Sequence, residues 1–273
     1  MTTKTQKAID SALEVKQGLG FRKHLGGSVI GRPCARQLWY TFRWARRSNF
    51  PARVLRLFQR GQDEEEKIVK WMRQAGVHVL DTDQETGKQF RIEDHDGHFG
   101  GSLDGKLFDT PDFPGVWVLG EFKTHNDKSF KQLRKDGLEK AKKEHLVQTQ
   151  IYMHYEELPA ALYFAVNKND DDMEILTVEY DASVAEKYID RAGKIIYAEG
   201  PPERISESPG WYICRWCDYK EICHHAALKE KNCRTCIHSK PIESSQWLCT
   251  KYLYNLTEAD QRRGCVNHTE IPE

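Results

Sequence analysis

Glu121 and Lys123 stand two residues apart at the end of the apolar run Val116-Trp117-Val118-Leu119-Gly120. Side chains alternate along a strand, so the carboxylate and the ammonium share one face. Asp104 lies in Gly100-Gly101-Ser102-Leu103-Asp104-Gly105, a glycine-flanked bend that another backbone or a ligand can approach closely. Two carboxylates converging from neighbouring strands supply hard oxygen ligands for Mg2+ or Mn2+. Such an ion lowers the pKa of a bound water and neutralises charge developing on a phosphate oxygen. A lysine beside it orients that water or stabilises the same charge. Taken alone, Glu-x-Lys on a strand also describes an ordinary cross-strand ion pair.

Other residues extend the pattern. Glu65 precedes Ile68, Val69 and Met72 by three, four and seven residues, near the centre of an apolar helix stripe that also includes Trp71. Glu64 falls at the edge of that stripe and Glu66 points away. An acid facing a core needs a partner, for which a metal ion is one candidate; acids are also common in a first helical turn. Gln148 and Tyr152 lie one helical turn apart on a shared face, joined by Tyr155, where they would hold a phosphate or simply form a half-buried face. Lys128, Lys131, Arg134 and Lys135 follow the strand closely and could grip a nucleic-acid backbone.

Eight cysteines form a second chemical theme, seven of them after residue 213. Cys214-x2-Cys217 with Cys233-x2-Cys236 has zinc-ribbon spacing, but that choice leaves Cys34, Cys223, Cys249 and Cys265 without a role. The alternative joins Cys34 to Cys214, Cys217 and Cys223 as ligands of a 4Fe–4S cluster. It leaves Cys233, Cys236, Cys249 and Cys265 as a zinc set, in which His268 or His238 could replace one thiolate. Residues 231–273 contain too little apolar sequence to form a core without metal. His224 and His225 read as surface residues, and Cys34 could also be a small buried apolar residue.

The elements that would position these groups follow from periodicity and punctuation. Helices are expected at 5–19, 34–47, 52–75, 128–136, 142–156 and 182–199, and strands at 77–80, 88–93, 98–108, 116–123, 160–166 and 174–180. The strand ending in Glu121 is apolar on both faces, as expected of a central strand covered on both sides. The 273 residues can hold one α/β core plus a smaller appendage. Four segments are expected: a basic helical region at 1–60 carrying Cys34, a core at 61–204, a cysteine cluster at 205–230, and a metal module at 231–273.

Composition narrows the setting. Hydrophobic residues make up 39% and charged residues 30%, and net charge is zero, yet residues 1–60 carry thirteen Lys and Arg against two acids. This basic region is either a phosphate-binding surface or a set of solvated helix faces, and Trp39, Tyr40, Phe42 and Trp44 within it could stack on bases or form core. No run of eighteen apolar residues crosses a membrane, and the first residues lack a secretory signal. A cytoplasmic location follows, in which cysteines favour metals over disulfides.

Together Glu65, Asp104 in GSLDG, Glu121-Phe122-Lys123, and Gln148 with Tyr152 resemble the RecB-like branch of the PD-(D/E)XK nucleases, which includes the CRISPR-adaptation nucleases. The likeness covers roughly residues 30–225. Cys34 upstream and Cys214-x2-Cys217-x5-Cys223 downstream are similar to the iron–sulfur members. GEFKTHNDKSFKQL with HLVQTQIYM looks like the nucleases of tailed bacteriophages. The resemblance implies a restriction-endonuclease-like α/β core, a central mixed sheet flanked by helices, with a small Cys-rich metal-binding region. It also implies Mg2+- or Mn2+-dependent hydrolysis of DNA, with Glu65 and the Phe122 carbonyl joining Asp104 and Glu121 on the metal. Gln148 and Tyr152 would be its Gln-x-x-x-Tyr element. An exonuclease acting on linear or single-stranded ends, with a recombination or single-strand-binding protein as partner, is the expectation. A structure-specific endonuclease and a non-catalytic, metal-stapled DNA-binding protein are the alternatives. Many RecB-like members have a histidine on the early helix where this chain has acids, which leaves Glu64 open beside Glu65.

Overall fold

The computed structural model describes residues 2–16 and 20–273. In chain order the elements are α1 (Lys4–Lys16), β1 (Leu25–Gly26), α2 (Ala35–Phe42), α3 (Ala52–Gln74), β2 (His78–Leu80), β3 (Arg91–Asp94), β4 (Phe99–Ser102), β5 (Gly105–Thr110) and β6 (Phe113–His125). There follow α4 (Asp127–Ala141), α5 (Lys143–Tyr155), β7 (Ala160–Asn167), β8 (Met173–Glu179) and α6 (Ala182–Ile196). The C-terminal elements are α7 (Lys220–His225), β9 (Ser239–Pro241), β10 (Trp247–Cys249), β11 (Tyr254–Leu256) and α8 (Glu258–Arg263).

Contacts divide the chain into two units. The first comprises the described part of 1–20 with Asn49–Ile92 and Gly101–Glu186; the second comprises Phe21–Ser48, Glu93–Gly100 and Lys187–Glu273. The chain passes between them after Gly20, after Ser48, within β3, within β4 and within α6. This division interleaves the linear segments expected from composition, because residues 21–48, with Cys34, cluster with the cysteine-bearing C-terminal part.

The first unit is built on a five-stranded sheet in the order β2-β5-β6-β7-β8. β6 and β7 are parallel and the other pairings antiparallel, so the sheet is mixed. β6 is its centre, and β7 is buried at every position. One face is an apolar layer in which Ile68, Val69 and Met72 of α3 pack on Val118, Phe122, Leu162 and Phe164. Alternation sends Glu121, Lys123 and Tyr163 to the other face. Helix α4 is interrupted at Gly137, whose φ of 76° only glycine adopts without strain; the expected stop at 136 falls there.

Three expectations need correction. The expected 34–47 helix ends at Phe42 because Trp44 takes φ 57°, outside helical space. The expected strand 98–108 is two strands in different sheets, and Asp104 occupies the break between them. Trp71 is 44% exposed and is not part of the buried stripe. Residues 17–19 of the expected first helix lie outside the described residues.

The second unit contains the short sheet β11-β10-β9, an antiparallel meander, and most of a sheet in the order β1-β4-β3. Its interior is aromatic and cationic. The Arg234 guanidinium lies 3.7 Å from the Trp44 ring centre and 4.4 Å from that of Trp247, and donates to the Lys23 and Phe42 carbonyls. Among the described residues no helix is long and apolar enough to cross a membrane.

Candidate active site

The antiparallel register pairs Gly105 of β5 with Gly120 of β6, which brings Asp104 level with Glu121 where the ladder stops. The Asp104 side chain takes over from the backbone there. Its Oδ2 accepts the Phe122 N–H at 2.8 Å and Nζ of Lys123 at 3.0 Å. Nζ also donates to the Phe122 carbonyl at 3.1 Å and forms an ion pair with Oε1 of Glu121. One ammonium therefore sits among three oxygens, those of Asp104, Glu121 and Phe122, all expected from the sequence to meet a cation.

Glu121 is fully buried, and its Oε2 has no hydrogen-bond partner. Burial pushes its carboxyl up, while Asp104 and Glu121 hold the Lys123 ammonium well above its ordinary value against the cost of its own burial. Glu65 responds to the same site. Burial first, then Asp104, push its carboxyl up to about 7, opposed by Lys123.

Glu64, Glu65, Phe122, Lys123 and His145 line one cleft of about 310 Å3. Glu64 is more buried than Glu65 and pairs with Lys67 at 3.2 Å, whereas Glu66 is exposed. The spacing put Glu65 at the centre of the stripe and Glu64 at its edge, whereas Glu64 is the buried acid and Glu65 is half-buried at the cleft. The acid that senses Asp104 and Lys123 is Glu65.

The donors match a divalent cation in chemistry: hard oxygens, an unpartnered buried carboxylate oxygen, and a cradle already wrapped around a positive charge. Among the described residues, however, no three Asp, Glu, His or Cys side chains converge closely enough to hold an ion as they stand. Lys123 accounts for this at the acidic site, since its ammonium lies between Asp104 and Glu121.

Gln148 and Tyr152 of α5 are both buried. A Cβ on Gly101 would stand 2.2 Å from the Tyr152 hydroxyl, so the glycine in GGSLDG admits Tyr152 against the strand that leads to Asp104. The cations of α4 are exposed, but Lys131 is paired with Asp127 at 3.0 Å, and Arg134 with Asp172 at 2.8 Å and Glu174 at 2.7 Å. Such exposed pairs are weak and yield readily to phosphate. Sequence reasoning missed His125, His145 and Tyr163, which hydrogen-bond beside Lys123. Alternation would have placed His125 on the Lys123 face, whereas nothing local marks the other two.

The cysteines fall into two groups within the second unit, and none forms a disulfide. Cys34, Cys214, Cys217 and Cys223 line one cavity, together with His224, which is half-buried rather than a surface residue. Cys34 caps α2, its Sγ accepting the Gln37 N–H at 3.4 Å. Burial and then the proximity of Cys34 push the thiols of Cys214 and Cys217 up. Burial, then Cys265, Cys236 and Cys249, push the Cys233 thiol up to about 11. The two Cys-x2-Cys pairs that spacing alone would join into a zinc ribbon thus keep different company. His268 is engaged by Thr235, Nε2 to Oγ1 at 3.0 Å.

No family model matches the sequence, and no curated protein matches it. Among solved structures, the chain is similar to LHK-Exo in complex with dAMP, at 14% identity and TM-score 0.46, covering 69% of this chain and 90% of the other. It is similar to SSO0001 at 13% identity and TM-score 0.46, covering 81% and 96%. It is also similar to the alkaline exonuclease LHK-Exo from Laribacter hongkongensis, at 16% identity and TM-score 0.44, covering 69% and 90%.

Proposed function

We propose that this chain is a divalent-metal-dependent DNA nuclease of the PD-(D/E)XK type, acting on DNA ends as an exonuclease. The observation that carries the reading is the cradle around Lys123: two carboxylates and a main-chain carbonyl gathered on a cation, with one buried Glu121 oxygen unspent. A protein that merely binds DNA gains nothing from gathering acids where phosphate must approach.

Asp104, Glu121 and the Phe122 carbonyl would hold Mg2+ or Mn2+, with Glu65 completing the set. When bound, the ion supplies a water of lowered pKa and neutralises charge on the phosphate. Lys123, released from the two carboxylates, orients the attacking water and meets charge developing on the phosphate. Gln148 and Tyr152, both buried on α5, would support the site from behind, where Tyr152 packs against the strand leading to Asp104, and Lys128, Lys131, Arg134 and Lys135 would hold the DNA backbone.

Cys34, Cys214, Cys217 and Cys223 would bind a 4Fe–4S cluster that staples α2 to the distant 214–223 segment, closing a very long loop. Cys233, Cys236, Cys249 and Cys265 would bind zinc. Both assignments suit a reducing cytoplasm, where thiols stay available to metals. The resemblance of its motifs to those of phage nucleases supports a role in phage replication or recombination, where a recombination or single-strand-binding protein would be its partner.

The test is anaerobic purification, iron and zinc analysis, and incubation with end-labelled linear, circular and single-stranded DNA with and without Mg2+ or Mn2+. Metal-dependent loss of linear but not circular DNA is the expected result. Salt-sensitive binding without scission by either ion would refute the nuclease, and cutting of circles would replace the exonuclease by an endonuclease.

A further inference from the structure

On the Lys123 face of β6 lies a hydrogen-bonded chain to which the nuclease reading gives no role. Alternation puts His125 on that face, and the parallel register sets Tyr163 of β7 opposite Glu121. The Tyr163 hydroxyl lies 2.6 Å from Nδ1 of His145 on α5 and 3.0 Å from Nε2 of His125. Nδ1 of His125 lies 3.0 Å from Oγ of Ser129 on α4. Tyr163 and His125 are buried, whereas His145 lines the cleft that holds Lys123 and Glu65.

These four groups can be satisfied without net charge, and the distances indicate the direction. A hydroxyl has one proton to give, and O–H donors make shorter contacts than N–H donors. On that ground we assign the 2.6 Å leg to Tyr163 donating to Nδ1 of His145, and the 3.0 Å leg to the Nε2–H of His125 donating to Tyr163. Nδ1 of His125 then accepts the Ser129 hydroxyl proton. In this order His145 carries its own proton on Nε2. Burial, reinforced by nearby lysines, pushes His145 down to about 3 and His125 to about 4, so both rings are neutral near pH 7.

We propose that His145 is a substrate-positioning group of this cleft, a neutral Nε2–H donor to a phosphate oxygen of DNA whose tautomer is set by Tyr163 and the His125–Ser129 pair behind it. The inference rests on the nuclease reading and deepens it. A neutral donor adds a directed hydrogen bond without a second positive charge to compete with a divalent ion beside Lys123.

Two substitutions separate this role from packing. The amide of His145→Gln reaches the Nε2 position, whereas that of His145→Asn stops near Nδ1 and can satisfy only Tyr163. With Mg2+ and end-labelled linear DNA, both variants should lose activity, His145→Asn at least about tenfold more in kcat/KM than His145→Gln. Tyr163→Phe should let His145 populate both tautomers, read from its 15N imidazole shifts. Asn performing as well as Gln, or a single unchanged tautomer in Tyr163→Phe, would overturn the proposal. If the wild type cleaves nothing with any divalent ion, it is the nuclease reading that fails. His145 is then judged on the 15N spectrum with a 5′-phosphorylated oligonucleotide: a shifted Nε2 supports the donor, and an unmoved one removes it.

Discussion

Oδ2 of Asp104 stands 3.0 Å from Nζ of Lys123 while also holding the Phe122 N–H at 2.8 Å. One carboxylate oxygen thus does two jobs, ending the β5–β6 ladder and anchoring the candidate catalytic lysine. The jobs separate by mutation. Asp104→Asn keeps an acceptor for the Phe122 N–H and should retain most of the stability while losing metal-dependent cleavage. Asp104→Ala loses both and should unfold with an added cost of about 1–3 kcal/mol, the penalty for stranding a half-buried donor. Denaturant melts paired with cleavage assays check this, and equal stability of the two variants would discard the dual role.

Lys123 occupies the space between the carboxylates, so the same geometry makes it a competitor for any ion that binds there. Lys123→Met should bind Mn2+ more tightly than the wild type and yet fail to cut DNA. It also strands the fully buried Glu121, so the metal-free variant should be destabilised by roughly 3 kcal/mol. Added Mn2+ should restore more melting temperature in the variant than in the wild type. Weaker Mn2+ binding by Lys123→Met would instead mean that the ammonium helps to build the ion site.

Glu65 gives the metal-free protein a pH signature. Its folded-state value near 7 lies above the ordinary 4.5, so the folded state binds the proton more tightly than the unfolded state. Stability contributed by this proton is full below about 4.5 and is lost as pH rises through about 7. Glu65→Gln cannot lose a proton, so it should exceed the wild type by on the order of 1–2 kcal/mol above that range, after discounting for its partial exposure, and match it in acid. Chemical melts across pH in chelator measure the difference. A constant gap would place Glu65 away from the other acids.

Much of this site was legible in the sequence because its parts are local. Glu121 and Lys123 lie on one strand, and alternation alone puts them on one face; Phe122 follows as the residue between. The helical spacing of Glu65 to Ile68, Val69 and Met72 pointed it inward, although only the fold opens a cleft there and buries Glu64 instead. Lys123 lying between the acids is a matter of side-chain geometry that no spacing encodes. The His145–Tyr163–His125 chain joins α5, β7 and β6, so its members share no local pattern. Trp44 ended a helix early through one backbone angle, which neither propensity nor periodicity forbids. Spacing left the cysteine partition open; which cysteines neighbour one another, Cys34 with Cys214, Cys217 and Cys223 around one cavity and Cys233 with Cys236, Cys249 and Cys265, depends on how distant loops fold together.

Gly101 and Tyr152 form a lock whose strength can be measured. A methyl at Gly101 would lie 2.2 Å from the Tyr152 hydroxyl and 2.9 Å from the ring carbons behind it. Gly101→Ala should therefore destabilise by about 1–3 kcal/mol through overpacking. Tyr152→Phe removes the nearest atom but leaves the ring, so the double variant should recover part of that loss and not all. Full additivity of the two substitutions would show that they do not meet.

The iron–sulfur cluster and the zinc proposed for the two cysteine groups should be lost independently. Cys217 keeps company with Cys34 and Cys223, and Cys233 with Cys236, Cys249 and Cys265. Cys217→Ser should therefore abolish iron content and brown colour after anaerobic purification while zinc stays near one per chain, and Cys249→Ser should do the reverse. Cys265 is exposed, which makes it the weakest member of its set, and His268 is the nearest alternative in sequence. The His268 ring already spends Nε2 on Thr235, so Cys265→Ser should still release zinc to a chelator faster than His268→Ala does. A single substitution that strips both metals, or zinc bound at both sites with no iron, would overturn the assignment, and the second result would leave the same four thiolates around Cys34 serving a tetrahedral ion instead.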